Sequence, residues 1–407
     1  MGGTALENFT DFVKFTGPAY YTDAGTFLNE AVQQTYSFPR FTKGKAYDKV
    51  IQSGEKIKDD VMFDEANTFT RYNPNQEFTW TQPQVATEME INWRFATDHM
   101  SWTDQEIELN MPSGMTDAYA NVQYKRLRKK IEQRMWTSVI NAMERELWAD
   151  PHGATNRDGM ESSDGTLPYS IPSFVTEDVT RFHPADWTTI MGIDPENEVK
   201  WRNQVSLYEE TAPTTHTTTE DNGSIIDAFD YMQLKVNFIA PDFHGEHFSG
   251  TNLAAFRNAI YSSRRGLALY KQSLRIENDR LASPQDAAYN KAAFGGIDLV
   301  YLAQLDAGKA DGSSAIFNHD GTDANTQDED GDNRSGGAVG GGSHDGPRYW
   351  WINGNFLTPI YHATRYFYKK DPFFLEKQPW TWVCPVDIWN NTFCHSRQRH
   401  GIVAPAD

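Results

Sequence analysis

The feature that most constrains this chain is a run of 32 residues, Asp117 to Trp148, that contains neither glycine nor proline. Within it Tyr124, Leu127, Ile131, Met135, Val139, Met143 and Leu147 recur three or four apart, the spacing of one helix face. Pro112-Ser113-Gly114-Met115-Thr116-Asp117 supplies cap candidates and an early acid before the run. Asp150-Pro151-His152-Gly153 stops it. At 1.5 Å per residue the segment predicts a rod of about 48 Å, nearly three times the usual helix length and without a heptad seam.

A second long element precedes it. Val85, Thr87, Met89, Ile91, Trp93 and Phe95 alternate with Gln84, Ala86, Glu88, Glu90, Asn92 and Arg94. Residues 85–95 therefore predict a strand of about 36 Å, with Lys49–Asp64 as its partner. Asn67–Gln76, which contains Asn73-Pro74-Asn75, has turn chemistry. An isolated hairpin is marginal in water, so this arm needs a surface. Either it lies over another subunit or the two strands belong to an ordinary sheet. Residues 1–44 raise the same alternative, because Phe12, Phe15 and other aromatics are scattered there without a period. A long helix beside a long hairpin predicts an extended subunit rather than a compact enzyme domain.

Further along, Ala228–Ile239 reads as a strand. Asn252–Leu274 reads as a helix through Leu253, Phe256, Ile260, Leu267 and Leu274, with Gly266 as its weak point. Residues 309–345 hold eight acids, two bases and eight glycines, the composition of a solvated insertion. From 347 to 407 the chain returns to aromatic, strand-like sequence, and the whole predicts an α+β protein.

Thirty-seven basic against 56 acidic residues, a net charge of −19, exclude a mainly electrostatic nucleic-acid binder. A local basic patch remains compatible with that charge. Cys384 and Cys394 cannot staple 407 residues and are expected to be two buried thiols. The first ten residues lack the pattern of a signal peptide, and no apolar run reaches the roughly 18 residues of a membrane span. The expectation is a soluble chain, with no membrane partner and no standard export signal.

The search for chemistry names no catalytic, cofactor-binding or metal-binding residue. Asp328-Glu-Asp-Gly-Asp332 lacks the ligand alternation of a calcium loop. His244-Gly-Glu-His247 is not the helical HExxH of a zinc protease. Cys384, Cys394, His395 and His400 lack CxxC spacing. There is no phosphate-binding glycine loop and no nucleophile elbow. One charged feature stands out, the i, i+4 row Arg126, Lys130 and Arg134 on the long helix. It suits phosphates or the acids of an adjacent subunit, but Glu132, Glu144 and Glu146 on the same helix also favour a salt-bridged or solvated face.

Several spaced fragments carry a resemblance: Met191-Gly-Ile-Asp194 leading to Trp201-Arg-Asn203, Ser262-Ser-Arg-Arg265 with Tyr270, Gly295-Gly-Ile-Asp-Leu-Val-Tyr301, Trp351-Ile-Asn-Gly-Asn-Phe-Leu357, and Asn390-Asn-Thr-Phe393 through Arg399-His-Gly-Ile-Val403. In this order, and with the arm and long helix before them, they resemble the major capsid protein of tailed double-stranded-DNA bacteriophages, the Hong Kong 97-type fold. The resemblance implies an N-terminal arm (1–44) and an extended loop (45–100). It implies a peripheral domain (101–165 and 347–378) with a spine helix at 117–148, and an axial domain (166–308 and 379–407). The acidic insertion at 309–346 lies outside that shared plan and is expected on the capsid exterior.

The resemblance further implies hexamers and pentamers in an icosahedral shell around double-stranded DNA, assembled in the host cytoplasm as part of a virion. A separate scaffolding protein, a portal and a cement protein are the partners it implies. The candidate assembly residues are Val85, Met89, Ile91, Trp93 and Phe95 on the arm, Phe12 and Phe15 at the N-terminus, and Arg126, Lys130 and Arg134 on the helix. Two other readings stay open: a carbohydrate-active enzyme, suggested by 12 Trp, 18 Tyr and many acids, and a portal component.

Covalently crosslinked members of this family use a lysine on the extended arm. Here no lysine occurs between Lys58 and Lys125, so the shell is expected to be non-covalent. Purified particles run on a denaturing gel should give one band at the monomer mass; a ladder of crosslinked oligomers would overturn this.

Overall fold

The computed structural model describes residues 37, 41, 50–51, 54–63, 86–109, 117–148, 167–176, 189–209, 224–236, 258–277, 292–305 and 347–406. Its strands are β1 (Val50–Ile51), β2 (Lys56–Met62), β3 (Ala86–Asn92), β4 (Arg94–Thr103), β5 (Gln204–Tyr208), β6 (Asn258–Ser262) and β7 (Ala292–Phe294). They continue with β8 (Ile297–Tyr301), β9 (Tyr349–Asn353), β10 (Leu357–His362), β11 (Tyr368–Lys369), β12 (Phe373–Leu375), β13 (Gln378–Cys394) and β14 (Gly401–Pro405). The architecture is α+β. It divides into two compact units, one holding Phe95–Met143 and Thr364–Trp389, the other Gln34–Arg94, Glu144–Ala363 and Asn390–Asp407.

The larger unit is built on a six-stranded mixed sheet in the order β5-β14-β9-β6-β8-β7. Its middle strands are apolar on both faces, and every residue of β9 and β14 is buried. Such strands read as continuous runs rather than alternations. Two helices cover the sheet. Ile225–Val236 opens on a capping box, in which the Asp227 backbone N–H donates to Ser224 Oγ (3.2 Å) and the Ser224 N–H donates to Asp227 Oδ2 (3.1 Å). Ile225, Ala228, Phe229, Met232 and Val236 then face inward. Phe229 is the centre of that contact, with its ring 5.3 Å from Tyr270, 4.9 Å from Tyr349 and 5.4 Å from Trp351.

Two sequence expectations are corrected here. Ala228–Ile239 is not a strand: residues up to Val236 are helical, because the capping box and the three-to-four spacing outweigh the local β-branched content. Asn252–Leu274 is not one helix. Asn258–Ser262 is the strand β6, and Ser263 then caps a helix over Arg264–Glu277, accepting from the Gly266 N–H at 3.1 Å. A short strand buried on both faces carries no period by which to tell it from helix.

In the smaller unit β13 pairs with β4, β11 and β12, and Cys384 and Val386 of β13 are fully buried. The turn from β4 into the helix Asp104–Leu109 is another capping box, with reciprocal bonds between Thr103 and Glu106 (2.8 and 3.2 Å). The long helix runs from Asp117 to Trp148, the bounds expected from sequence. Met135, Val139 and Met143, three of the periodic positions, are buried within this unit. Lys369 donates to Glu132 on the helix at 2.8 Å and holds that carboxyl below its ordinary range, against a smaller opposing effect of burial. The helix passes into the larger unit for its last turn, where Leu147 and Trp148 are buried.

Gly266 shows why a glycine sits inside a helix. A Cβ there would stand 2.0 Å from Ser262 Oγ and 3.2 Å from Pro347 Cβ. Ser262 Oγ is itself held by donating to Arg348 O at 2.9 Å. Gly→Ala in a helix ordinarily stabilises by about 1 kcal/mol, whereas overpacking costs about 1–3 kcal/mol. Gly266→Ala should therefore destabilise the protein by up to about 2 kcal/mol in chemical denaturation; a stability gain would show that the approach is looser than described.

Candidate assembly surfaces

The predicted arm is present as the antiparallel pair β2–β3, in register with Ile57 opposite Ile91 and Asp59 opposite Met89. Its outer face is a charge ladder. Lys56 Nζ lies 2.7 Å from Glu90 Oε1, and Lys58 donates to Glu88 and approaches Glu90 at 3.5 Å. The hydrogen bond from Lys56 lowers the Glu90 carboxyl, and Glu88 raises the Lys58 ammonium. These pairs are solvent-exposed, so they steer and solubilise more than they stabilise.

The inner face corrects the expectation drawn from the apolar stripe. Ile57, Met89, Ile91 and Trp93 are buried at 6% exposure or less by the chain's own residues. His395 Nδ1 lies 3.0 Å from Asp59 Oδ2, and the Glu90 N–H donates to Met191 O at 3.3 Å. Asn391 Nδ2 donates to Asn92 O at 2.7 Å, and Lys200 Nζ donates to Phe63 O at 2.5 Å. The inner face of β2 and β3 thus lies against the larger unit, while Met62 at the end of β2 is 66% exposed.

The Met191 carbonyl is presented by a tight turn. Ile190 and Ile193 bond each other at 3.1 and 3.0 Å, with Met191 and Gly192 both at positive φ (58° and 81°). The stripe is also not one strand. It breaks at Trp93, whose indole donates to Gly54 O at 2.9 Å, and resumes as β4, where Phe95 is 61% exposed with its ring 4.8 Å from Trp389.

The other candidates separate. Val85, Phe12 and Phe15, the turn at 67–76 and the insertion 309–346 lie outside the described residues, as does the side chain of Arg126. Arg134 is exposed, while Lys130 is half-buried and already engaged within the chain. Part of the expected N-terminal arm is described. Ser37 donates to Glu144 Oε1 through its N–H (2.8 Å) and its hydroxyl (2.5 Å), and the Trp148 indole donates to Ser37 Oγ at 2.7 Å. Phe41, 2% exposed, packs 6.0 Å from the Tyr261 ring. This point of the N-terminal segment is fastened within its own unit.

Sequence reading missed two features. The first is a polar node in the larger unit. The fully buried Arg397 donates to Phe174 O (2.6 Å), Trp201 O (3.1 Å), Asn203 Oδ1 (3.0 Å) and Thr176 Oγ1 (3.4 Å). Burial pulls its guanidinium down to about 9. His400, also fully buried, accepts the Asn353 N–H on Nδ1 at 3.2 Å. Desolvation first, and Arg397 second, lower its pKa to about 3. The second feature is the hairpin β12–β13, whose Phe373, Phe374 and Trp380 are 45–65% exposed. The node joins segments about 200 residues apart and leaves no spacing to read, while the hairpin was hidden by an ordinary aromatic, strand-like composition.

Cys384 and Cys394 are the two buried thiols expected; the Cys384 thiol approaches Lys370 O at 3.1 Å and is raised by burial. Among the described residues no group of His, Cys, Asp and Glu is placed to hold a metal ion, and no helix is long and apolar enough to cross a membrane.

No family model and no curated protein matches the chain. Among solved structures it is similar to the capsid of cyanophage A-1(L), at 9% identity over 95% of this chain and 96% of that one, with a TM-score of 0.46. It is also similar to a structure from Mycobacterium phage Adephagia, at 8% identity over 100% and 99% of the two chains, with a TM-score of 0.45. The capsid of the myovirus phage XM1 follows at 8% identity over all of both chains, with a TM-score of 0.42.

The polar node sets an acid response. His400 stays neutral when folded and titrates in its ordinary range when unfolded, so the unfolded chain binds the extra proton between about pH 6.5 and 3. Its contribution is complete above pH 6.5 and is lost as pH falls toward 3, by up to about 1.4 kcal/mol per pH unit. His400→Gln should flatten the pH dependence of denaturation in that window; an unchanged slope would remove His400 from the account.

Proposed function

We propose that this chain is the major capsid protein of a tailed double-stranded-DNA bacteriophage, of the Hong Kong 97 type. It would build an icosahedral shell from hexamers and pentamers without covalent crosslinks. The observation that carries this reading is the coincidence of the ordered sequence fragments with formed elements. Met191-Gly-Ile-Asp194 is the turn that holds β3, Ser262–Arg265 opens a helix, and Ile297–Tyr301, Tyr349–Asn353 and Gly401–Pro405 are strands of one sheet. These fragments follow a single 32-residue helix, in the order the resemblance implies.

On this reading the protein is structural and performs no catalysis. Packaged DNA lies inside the shell, a scaffolding protein and a portal assist assembly, and any cement protein binds outside. Against the carbohydrate reading, six of the 12 tryptophans, Trp93, Trp102, Trp148, Trp201, Trp350 and Trp351, are buried and cannot serve as sugar platforms.

Electron microscopy of the purified full-length protein tests the proposal. Closed shells with six-fold and five-fold capsomers are expected. Monomers alone would overturn it, and single rings alone would favour a portal.

A further inference from the structure

The sheet of the larger unit carries one connection far longer than its geometry requires. β6 lies between β8 and β9, and its last residue, Ser262, pairs with Tyr301 at the end of β8 and with Tyr349 at the start of β9. Two strand spacings, about 10 Å, therefore separate Tyr301 from Tyr349. About three or four extended residues would cover that distance. The chain uses residues 302–348 instead, and both ends of this excursion are fastened. On the way out, the Leu302 N–H donates to Ser262 O and the Leu305 N–H to Leu302 O, each at 3.1 Å, and Leu302, Gln304 and Leu305 are buried. On the return, the Pro347 carbonyl accepts from the Tyr208 hydroxyl at 2.7 Å, and the Arg348 carbonyl from Ser262 Oγ at 2.9 Å. One serine thus ties both ends, the outgoing one through its carbonyl and the returning one through its hydroxyl.

Between those fastenings lie 41 residues, 306–346. They hold 10 glycines, nine acids against two bases, and only three large apolar side chains, Ile316, Phe317 and Val339. Such a composition cannot bury enough apolar surface to build a core of its own. The stem is closed by contacts that do not involve the segment, and the segment has little to offer the fold in return. We infer that 306–346 is a fold-neutral module, which the larger unit does not need for stability and in whose place it accepts other sequence. This property goes beyond the capsid reading and does not depend on it.

The test replaces 306–346 in the full-length chain by a Gly/Ser linker of about six residues, which reaches about 20 Å. Closing a shorter loop costs less entropy, so the shortened chain should melt at the same temperature or up to about 5 °C higher. A second linker of about 12 residues separates strain in the bridge from lost contacts. Melting lowered by more than about 3 °C with both linkers would show that the fold leans on the segment, and overturns the module. A drop with the short linker that the longer one restores supports it. Ser262→Ala, which frees the returning end, should lower the melting temperature equally in the wild-type and shortened chains, because the stem is the same in both. An effect confined to the wild-type chain would overturn the closed stem.

Acceptance of other sequence is tested by grafting a small folded domain with adjacent termini between Leu305 and Pro347 through Gly/Ser linkers. The host transition should stay cooperative and within about 3 °C of its own value. Loss of that transition, with the grafted domain itself folded, would overturn the acceptor role. All melting curves are compared at one assembly state, checked by sedimentation. A wild-type chain that forms no shells would therefore overturn the capsid reading and leave the module to be judged by the melting curves.

Discussion

The larger unit depends on one buried cation. Arg397 is fully enclosed, and a guanidinium taken out of water is tolerated only when its fork of donors is filled. It is filled by backbone and side-chain oxygens from residues 174–176 and 201–203, about 200 positions away in sequence. Those segments cannot shift without stranding a charge in the core. β5 begins at Gln204, directly after this node, and β14 begins at Gly401 just past it, so the parallel pair Gly401↔Gln204 starts from a fixed point. His400, neutral between Arg397 and the sheet, closes the same node through the Asn353 N–H.

Around that point the unit is held by apolar burial of a kind that needs no disulfide. The ring of Phe229 touches rings from the second helix and from β9, and the two helices meet the sheet at glycine and serine positions that permit close approach. The arm is a graded element against this body. Its inner residues are dry, its outer residues are a charge ladder in water, and backbone bonds to the Met191 turn and the Asn391 side chain fix its register. An element of this design can keep its root in place while its outward face stays soluble.

The smaller unit handles its aromatics differently. Val386 and Cys384 are buried, Trp382 is half-buried, and Trp380 is exposed, so one strand passes from core to solvent. Natural sheets usually blunt such an edge, and here the blunting is in the backbone, by Pro372 and a three-residue strand, while the side chains remain apolar.

What sequence alone determined were the long helix, to the residue, the pairing of β2 with β3, the buried thiols and the α+β class. Each rests on a local period or count that burial enforces along a contiguous segment. Tertiary structure alone decided the rest. It decided that Ala228 belongs to a helix and Ile260 to a strand, since a run buried on all sides carries no period. It showed that Met89, Ile91 and Trp93 are covered by their own unit, because a sequence shows an apolar face but not what lies over it. And it gathered Phe174, Thr176, Trp201 and Asn203 around Arg397, because contacts across 200 residues leave no spacing to read.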